Sequence, residues 1–170
     1  MKIFTTDYLD CLIKTAEKSQ RLRAHSNVHD SYQDSTQKIF IALIADSYIR
    51  PHRHSLDPKE ECLIAIRGLM SLVLFSDRGE VKSITVFGSE KYAEKMPIAS
   101  GVQVSANDWH TVVPLSENPI LFEVKDGPFN AKVAKEFGDW SPAEGSKNSV
   151  SYFQKLKELS LKYVTNDRYL

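Results

Sequence analysis

The feature that most constrains the fold is a series of short apolar segments, separated by turn signals, between Gln37 and Asp126. The clearest is LMSLVLFSDRGEVKSITVF, where two apolar runs flank Asp77, Arg78 and Gly79 and predict a β-hairpin. Further candidate strands are KIFIALI, ECLIAIRG (ended by Gly68), PIASGVQVS, WHTVVPL and PILFEVK. Strands that recur at such short spacing indicate an antiparallel sandwich or barrel.

The flanking segments predict helices, a loop and a tail. Residues 5–24 carry apolar side chains at helical spacing and predict a helix, whereas the polar residues 25–36 predict a loop. After Asp126 we expect no further strands, only a tail with Gly and Pro turns, and then a helix in VSYFQKLKELSLKYV. Its expected buried stripe is Tyr152, Phe153, Leu156, Leu159 and Tyr163. We therefore expect one domain over 1–170, made of an N-terminal helix and loop (1–36), a β core (37–126) and a C-terminal tail and helix (127–170).

Charge and composition argue against several classes of protein. The 170 residues contain 22 Lys plus Arg and 22 Asp plus Glu, so no broad basic surface for nucleic acid is expected. Two cysteines do not make a disulfide framework. No stretch approaches the ~18 apolar residues that a membrane span needs, and the N-terminus does not read as a signal peptide. We expect a cytoplasmic protein that binds neither nucleic acid nor membrane.

The segment RPHRHSLDPKEE contains a candidate metal site. On an extended strand His52 and His54 point to one face and Arg53 to the other. If SLDPK forms a turn, Glu61 can return beside the histidines, and His110 can join from a later strand. A carboxylate among imidazoles suits a divalent first-row metal. Two histidines alone are weak evidence, because exposed histidines are common on edge strands.

These residues resemble the two motifs of the cupins. His52, His54, Glu61 and Gly68 match the first motif, and SANDWHTVVP with His110 resembles the second. The gap after His54 is longer than usual, so Glu60 and Glu61 both remain open, with the distance to Gly68 favouring Glu61. Ser105 and Asn107 replace the usual proline and glycine of the second motif, and we expect Asn107 to supply the left-handed conformation of that glycine.

Within the cupins, the chain is most similar to the WbuC family of cupin-fold metalloproteins. The similarity extends from roughly Ser19 to Ser146 and includes RLRAHSNVH, ALIADSYIRPHRH, FEVKDGPF and WSPAEGS. It implies an all-β, jelly-roll-like double-stranded β-helix with an N-terminal helix and a C-terminal tail and helix. It also implies an association with bacterial O-antigen and polysaccharide gene clusters.

The expected cofactor is one divalent transition metal ion (Fe, Mn, Ni, Cu or Zn) held by His52, His54, Glu61 and His110. Four such ligands leave coordination positions open for a substrate. Three functions follow: a metal-dependent enzyme on a sugar or nucleotide sugar (an isomerase, epimerase or Fe(II) dioxygenase), a non-catalytic ligand-binding module, or a metal-free epimerase with a histidine–carboxylate dyad. The four convergent ligands argue against the dyad.

Candidates for substrate binding lie before the ligands. Tyr48 and Arg50 precede His52 at even spacing, so we expect them on the same face, with Arg50 as an anion ligand or a surface ion pair. His29 and His25 can reach the site as acid or base, or remain exposed loop residues. Arg21 and Arg23 can bind an anion or simply end the helix. The expected oligomer is a homodimer, since the exposed sheet edges need covering.

Overall fold

In the computed structural model, which describes residues 1–93 and 98–165, two antiparallel five-stranded sheets face each other. The first sheet has the order β1 (Arg23–Asn27), β2 (Thr36–Leu43), β9 (Ile120–Asp126), β4 (Glu61–Arg67) and β7 (Gly101–Val104). The second has the order β10 (Glu136–Phe137), β3 (His52–Arg53), β8 (Trp109–Pro114), β5 (Leu69–Phe75) and β6 (Val81–Gly88). The helices are α1 (Thr6–Glu17), α2 (Glu90–Ala93) and α3 (Ser149–Thr165).

Gly68 lets the chain cross from one sheet to the other. It separates β4 from β5 and has a φ of 78°, in the left-handed region that favours glycine. A Cβ there would lie 2.5 Å from Ser116 Oγ and 2.8 Å from the Pro119 backbone. The glycine therefore serves both the backbone turn and the close approach of the loop before β9.

The aliphatic core lies between the sheets, and each outer face is covered by a helix. The buried residues between the sheets are Ile41, Leu43, Leu63, Met70, Leu72, Phe87, Val104, Val112 and Leu121. Leu12, Ile13 and Ala16 of α1 pack on Phe40 and Ile120 of the first sheet. Phe153 and Leu156 of α3 pack in the cluster of Val73 and Val113 on the second. Within the described ranges, no helix combines the length and apolar character needed to cross a membrane.

The N-terminal segment differs from the sequence expectation. The helix ends at Glu17, not residue 24, and Arg23–Asn27 form an edge strand where the end of a helix and a loop were expected. Arg23, His25 and Asn27 alternate onto the inner face and line a cavity, while Ala24 packs beneath α1. A strand whose inner face borders a polar cavity lacks the apolar alternation that identifies a strand in sequence.

The C-terminal segment also differs. A short strand does follow Asp126: Glu136 and Phe137 pair with Arg53 and His52. The buried stripe of α3 contains Ser149, Phe153, Leu156 and Ser160, while Leu159 and Tyr163 are exposed. Two small serines thus replace two large apolar residues of the expected stripe. Residues 166–170 of the predicted tail and Pro97 of the predicted strand PIASGVQVS lie outside the described residues.

Candidate metal centre and its cavity

The second sheet places two histidines side by side. His52 in β3 lies opposite His110 in β8 in the antiparallel register, and their ring centroids are 4.5 Å apart. The alternation of the strand turns Arg53 outward, where its guanidinium lies over Trp109 and pairs with Glu136. The inward direction of His52 is therefore fixed by strand pairing on both sides of β3.

The third histidine and the glutamate complete the cluster. The His54 backbone N–H donates to the Ala106 carbonyl in the turn before β8, at 2.8 Å. In that turn the Asp108 N–H donates a hydrogen bond to the Ser105 carbonyl. Asn107 does not have the positive φ that the sequence predicted for it. Turns with negative φ at both central residues need no glycine. Glu61 begins β4 on the inner face of the first sheet, whereas Glu60 instead accepts a hydrogen bond from Gln103.

The four side chains are buried and converge. Each is at most 4% exposed, and each offers one ligand atom within 4.8 Å of the others. Glu61 Oε1 lies 2.9 Å from His54 Nε2, and Glu61 Oε2 lies 3.2 Å from His110 Nε2. The predicted ligand set is thus brought together, and the choice between the two glutamates falls on Glu61.

Backbone carbonyls fix the orientation of all three imidazoles. Nδ1 of His52, His54 and His110 lies 3.0, 2.5 and 2.8 Å from the carbonyls of Arg50, Ala134 and Asp108. A carbonyl only accepts, so each Nδ1 carries the proton and each Nε2 is left for the centre of the cluster. This support of the outer ring nitrogen by carbonyls is typical of histidines that bind metals.

The charges of the cluster fit a divalent cation. Burial alone would raise the pKa of Glu61, but the hydrogen bonds with His110 and His54 and the charge of Lys125 hold that pKa well below its usual range. Burial, with the charge of Lys135, lowers the pKa of His52 well below its usual value and favours its neutral form. The Glu61 carboxylate and the imidazole Nε2 atoms meet at one place, and one divalent ion there, in place of protons shared between carboxylate and imidazole, would satisfy all four groups.

Lys125 is a cation already present beside these ligands. Its Nζ lies 2.9 Å from Glu61 Oε1 and 2.9 Å from His54 Nδ1. Because His54 Nδ1 donates to Ala134, it cannot also accept from the ammonium, so Glu61 is the acceptor of Lys125. Lys125 therefore competes with a metal ion for the same carboxylate.

Three residues of the cluster, His52, Glu61 and His110, line a cavity of about 670 Å³ between the sheets. That size suits a small organic molecule. One part of the wall is aliphatic, from Ile39, Ile41, Ile49, Leu63, Val112 and Leu121. The remainder is polar, so the cavity can hold a ligand that has both an apolar and a charged part.

Two further ionisable groups line the cavity beside the cluster. Glu123 lies between Ile39 and Leu63 across the neighbouring strands. Burial, reinforced by the charge of Glu61, raises the pKa of Glu123 to about 7. His25 lines the cavity from β1, and burial together with the charges of Lys135 and Arg23 lowers its pKa to about 4. Glu123 can therefore change protonation state near neutral pH, while His25 stays neutral.

The expected substrate-binding residues are only partly brought to the cavity. Tyr48 does not line it: its hydroxyl donates to the Pro142 carbonyl, because the segment before β3 is not a regular strand and even spacing does not fix its side chains. His29 is buried away from the cavity, and its Nδ1 lies 3.1 Å from both the N–H and the carbonyl of Lys38. Arg50 does line the cavity, but its guanidinium donates to Ser141 Oγ and the Gly138 carbonyl and so holds the tail.

Among the charged residues of the cavity that sequence reasoning missed, Glu123, Lys125 and Lys135 bear most on the site. The alternation of PILFEVK contained a signal for two of them, since Leu121, Glu123 and Lys125 must share one face. Two charges on the inner face of an otherwise apolar strand are costly without a function or partners. Lys135 lies in the tail, where no periodic pattern indicates a direction.

Comparisons with known proteins support the fold. A family model described as "Domain of unknown function (DUF6016)" matches residues 4–87, just under half of the chain. No curated protein matches the sequence significantly. A crystal structure of a Shewanella oneidensis protein is similar with a TM-score of 0.58 and 14% identity, over 90% of this chain and 94% of that one.

A second solved structure names the fold. It is an uncharacterized conserved protein with a double-stranded β-helix domain from Klebsiella pneumoniae, with a TM-score of 0.54 and 13% identity, over 82% of this chain and 98% of that one. The present chain thus has a double-stranded β-helix fold, as its sequence predicted. Within that fold, the buried His/Glu cluster is a site that can hold a metal ion.

Proposed function

We propose that the chain is a metal-dependent enzyme of the WbuC family that acts on a small polar substrate, such as a sugar or nucleotide sugar, in bacterial surface polysaccharide (O-antigen) biosynthesis. The observation that carries the proposal is the convergence of His52, His54, Glu61 and His110, three of which (all but His54) line the cavity. The motif residues and the flanking segments FEVKDGPF and WSPAEGS support the family assignment.

Groups for proton transfer lie beside the ligands. A bound metal ion supplies Lewis acidity, which polarises a carbonyl or hydroxyl group. Glu123, with its pKa of about 7, suits proton transfer at neutral pH, and it shares the inner face of β9 with Lys125. These groups favour isomerisation or epimerisation over the alternative of ligand binding without turnover.

Metal content tests the ligand assignment. We expect tag-free protein, purified without a metal column, to contain about one equivalent of a transition metal by elemental analysis. His52→Ala should lose most of it while keeping the fold, because none of the four ligands belongs to the apolar cluster that packs the two sheets together. His25→Ala, at a histidine that lines the same cavity outside the cluster, should keep its metal. Full metal content in His52→Ala would contradict the assignment.

Hydrogen exchange tests the reaction class. Metal-loaded protein incubated with nucleotide sugars in deuterated water should place deuterium at a sugar carbon, since the proton removed returns from solvent. We expect this exchange to be lost in His52→Ala. Binding of a nucleotide sugar without exchange or any product would favour the non-catalytic alternative, and an iron content would direct the search to oxygen chemistry.

A cytoplasmic location and a homodimer remain part of the proposal. The short edge strands β7 and β10 are surfaces through which two copies could pair. Light scattering should then give a mass of twice 19.3 kDa.

A further inference from the structure

We propose that the cavity binds an organic anion, a carboxylate or phosphate, whose charged group is held by Lys135 beside the metal cluster and whose uncharged part lies on the aliphatic wall. This inference rests on the proposed function and narrows its substrate class to acids and phosphorylated compounds. A neutral sugar does not meet it, whereas a nucleotide sugar does.

Lys135 is held beside the cluster by its two neighbours in the chain. The carbonyl of Ala134 accepts the hydrogen bond from His54 Nδ1. Glu136 begins β10, lies opposite Arg53, and accepts from its guanidinium at 2.8 and 3.0 Å. The backbone of Lys135 is thus fixed on both sides to β3 and its extension, and its side chain lines the cavity.

Most other cations of the cavity wall already have a partner. Arg23 contacts both carboxylate oxygens of Glu144, at 2.6 and 2.8 Å. Lys59 pairs with Asp57, and Lys125 with Glu61. Lys135, in contrast, has neither a hydrogen bond nor an ion pair from its ammonium group to any residue in the described ranges.

The charges that face Lys135 do not neutralise it. Glu61 is shared by Lys125 and two histidines, and Glu123 is partly protonated at neutral pH. The Lys135 side chain lines the cavity while remaining exposed to solvent, so its ammonium group is accessible to a ligand. The cations Lys125 and Arg23 also face it and add to the positive potential. An anion bound here relieves that imbalance.

The remaining wall indicates what accompanies the anionic group. The aliphatic side chains of the cavity, Ile39, Ile41 and Leu121 among them, offer no hydrogen bonds to a ligand. His25 and Asn27 are two positions apart in β1, so both side chains point to the inner face of the sheet. They provide neutral polar contacts to a ligand. A ligand with one charged end and a less polar body is therefore complementary to the whole cavity.

Anion binding can be measured with simple probes by NMR titration of the metal-loaded and the metal-free protein. The probes are acetate, inorganic phosphate, hexanoate and acetamide, the last a neutral match for acetate. We expect at least one of acetate and phosphate to bind and acetamide not to bind. Hexanoate should bind at least tenfold more tightly than acetate, because its chain reaches the aliphatic wall.

Variants in the tail locate the charge. Lys135→Met should weaken binding of the anions at least tenfold, and Lys135→Arg should retain it. Lys132→Met is the matched control, since Lys132 is an exposed cation three residues earlier that does not line the cavity. Its anion affinity should equal that of the wild type.

The outcomes separate the anion site from the metal proposal. Equal anion affinity in Lys135→Met and wild type, or equal affinity for acetate and acetamide, would overturn the anion site even if the metal content is normal. A wild-type protein that takes up no metal would overturn the proposed function. Binding of acetate or phosphate to that metal-free protein, if it depends on Lys135, would still support the anion site. The probe that binds more tightly shows whether the ligand class is a carboxylate or a phosphate.

Discussion

Individual histidines in this chain are distinguished by what surrounds Nε2. His52, His54 and His110 each face a carbonyl with Nδ1 and direct Nε2 to the shared cluster. His29 also has a carbonyl beside Nδ1, but its buried Nε2 has no hydrogen-bond partner. The HxH spacing indicated two of the three histidine ligands, but it did not indicate the carbonyls that orient them. Ala134 lies far along the chain from His54, and Asp108 lies in the irregular turn just before His110. Sequence therefore predicted the residue types of the site and not the contacts that orient them.

The carboxyl of Glu123 should make stability depend on pH. In metal-free protein its pKa of about 7 exceeds the ordinary value of 4.5. Burial and the charge of Glu61 raise this pKa, and the charges of Lys135 and Lys125 oppose the rise. A raised pKa of an acid means that ionisation disfavours the folded chain, so this contribution to the free energy of unfolding falls between about pH 4.5 and pH 7. Glu123→Gln should remove this pH dependence. The free energy of unfolding of the variant, relative to that of the wild type, should therefore increase by roughly 2 kcal/mol from pH 5 to pH 8.

Urea unfolding at both pH values measures this difference. Glu158→Gln, at an exposed position of α3, is the control and should show no such growth. A constant difference between Glu123→Gln and wild type across the range would mean that the Glu123 carboxyl is not perturbed.

Removal of the Lys125 ammonium should strengthen metal binding. Its Nζ lies 2.9 Å from Glu61 Oε1, so it repels an incoming divalent cation and occupies part of its ligand. We expect Lys125→Met to lower the metal Kd by about tenfold or more, measured by competition with a chelating indicator. Lys38→Met, an exposed position on the neighbouring strand β2, should leave the Kd unchanged. Weaker binding in Lys125→Met would show that the lysine orients Glu61 for the metal.

Among the secondary-structure elements, α3 is joined to the second sheet by a buried pair of hydroxyls. Ser71 of β5 donates to Ser160 of α3 at 2.7 Å, and both side chains are fully buried. Ser160→Ala or Ser71→Ala should each cost about 1–2 kcal/mol, since each leaves one buried hydroxyl without its partner. The double variant should cost no more than the worse single variant.

Denaturant unfolding of the four proteins completes this cycle. Ser83→Ala, at an exposed position of β6, should change the free energy of unfolding little and serves as the control. Strictly additive losses in the double variant would mean that the two hydroxyls do not interact.

Elements that bury one apolar face were predicted from sequence, and elements that border the cavity or the tail were not. β2, β4, β8, β9 and the hairpin of β5 and β6 carry the period or the apolar run of a packed strand. β1 instead presents Arg23, His25 and Asn27 to the cavity, and β10 has two residues. In α3, Ser149 and Ser160 are buried where larger residues were expected, and Ser160 lies within hydrogen-bond distance of Ser71 in β5.

For the whole molecule, metal binding and folding should be linked. A metal ion that binds only the folded chain, at a free concentration of 100 times its Kd, adds about 2.7 kcal/mol to the free energy of unfolding. For a chain of this size we expect Tm to rise by roughly 5–10 °C in a calorimetric scan. His52→Ala should show little rise, and a rise equal to that of the wild type would mean that the metal binds elsewhere.

The distance in sequence between His54 and the carbonyl that orients it has a consequence for the order of events during synthesis. The His54 imidazole is oriented by a carbonyl 80 positions later in the chain, after every strand of the first sheet has been made. A nascent chain can therefore pair its strands before it has a competent set of ligands. We expect the proposed metal ion to bind a barrel that already exists, so a cell short of that metal should accumulate folded apoprotein rather than aggregated chains.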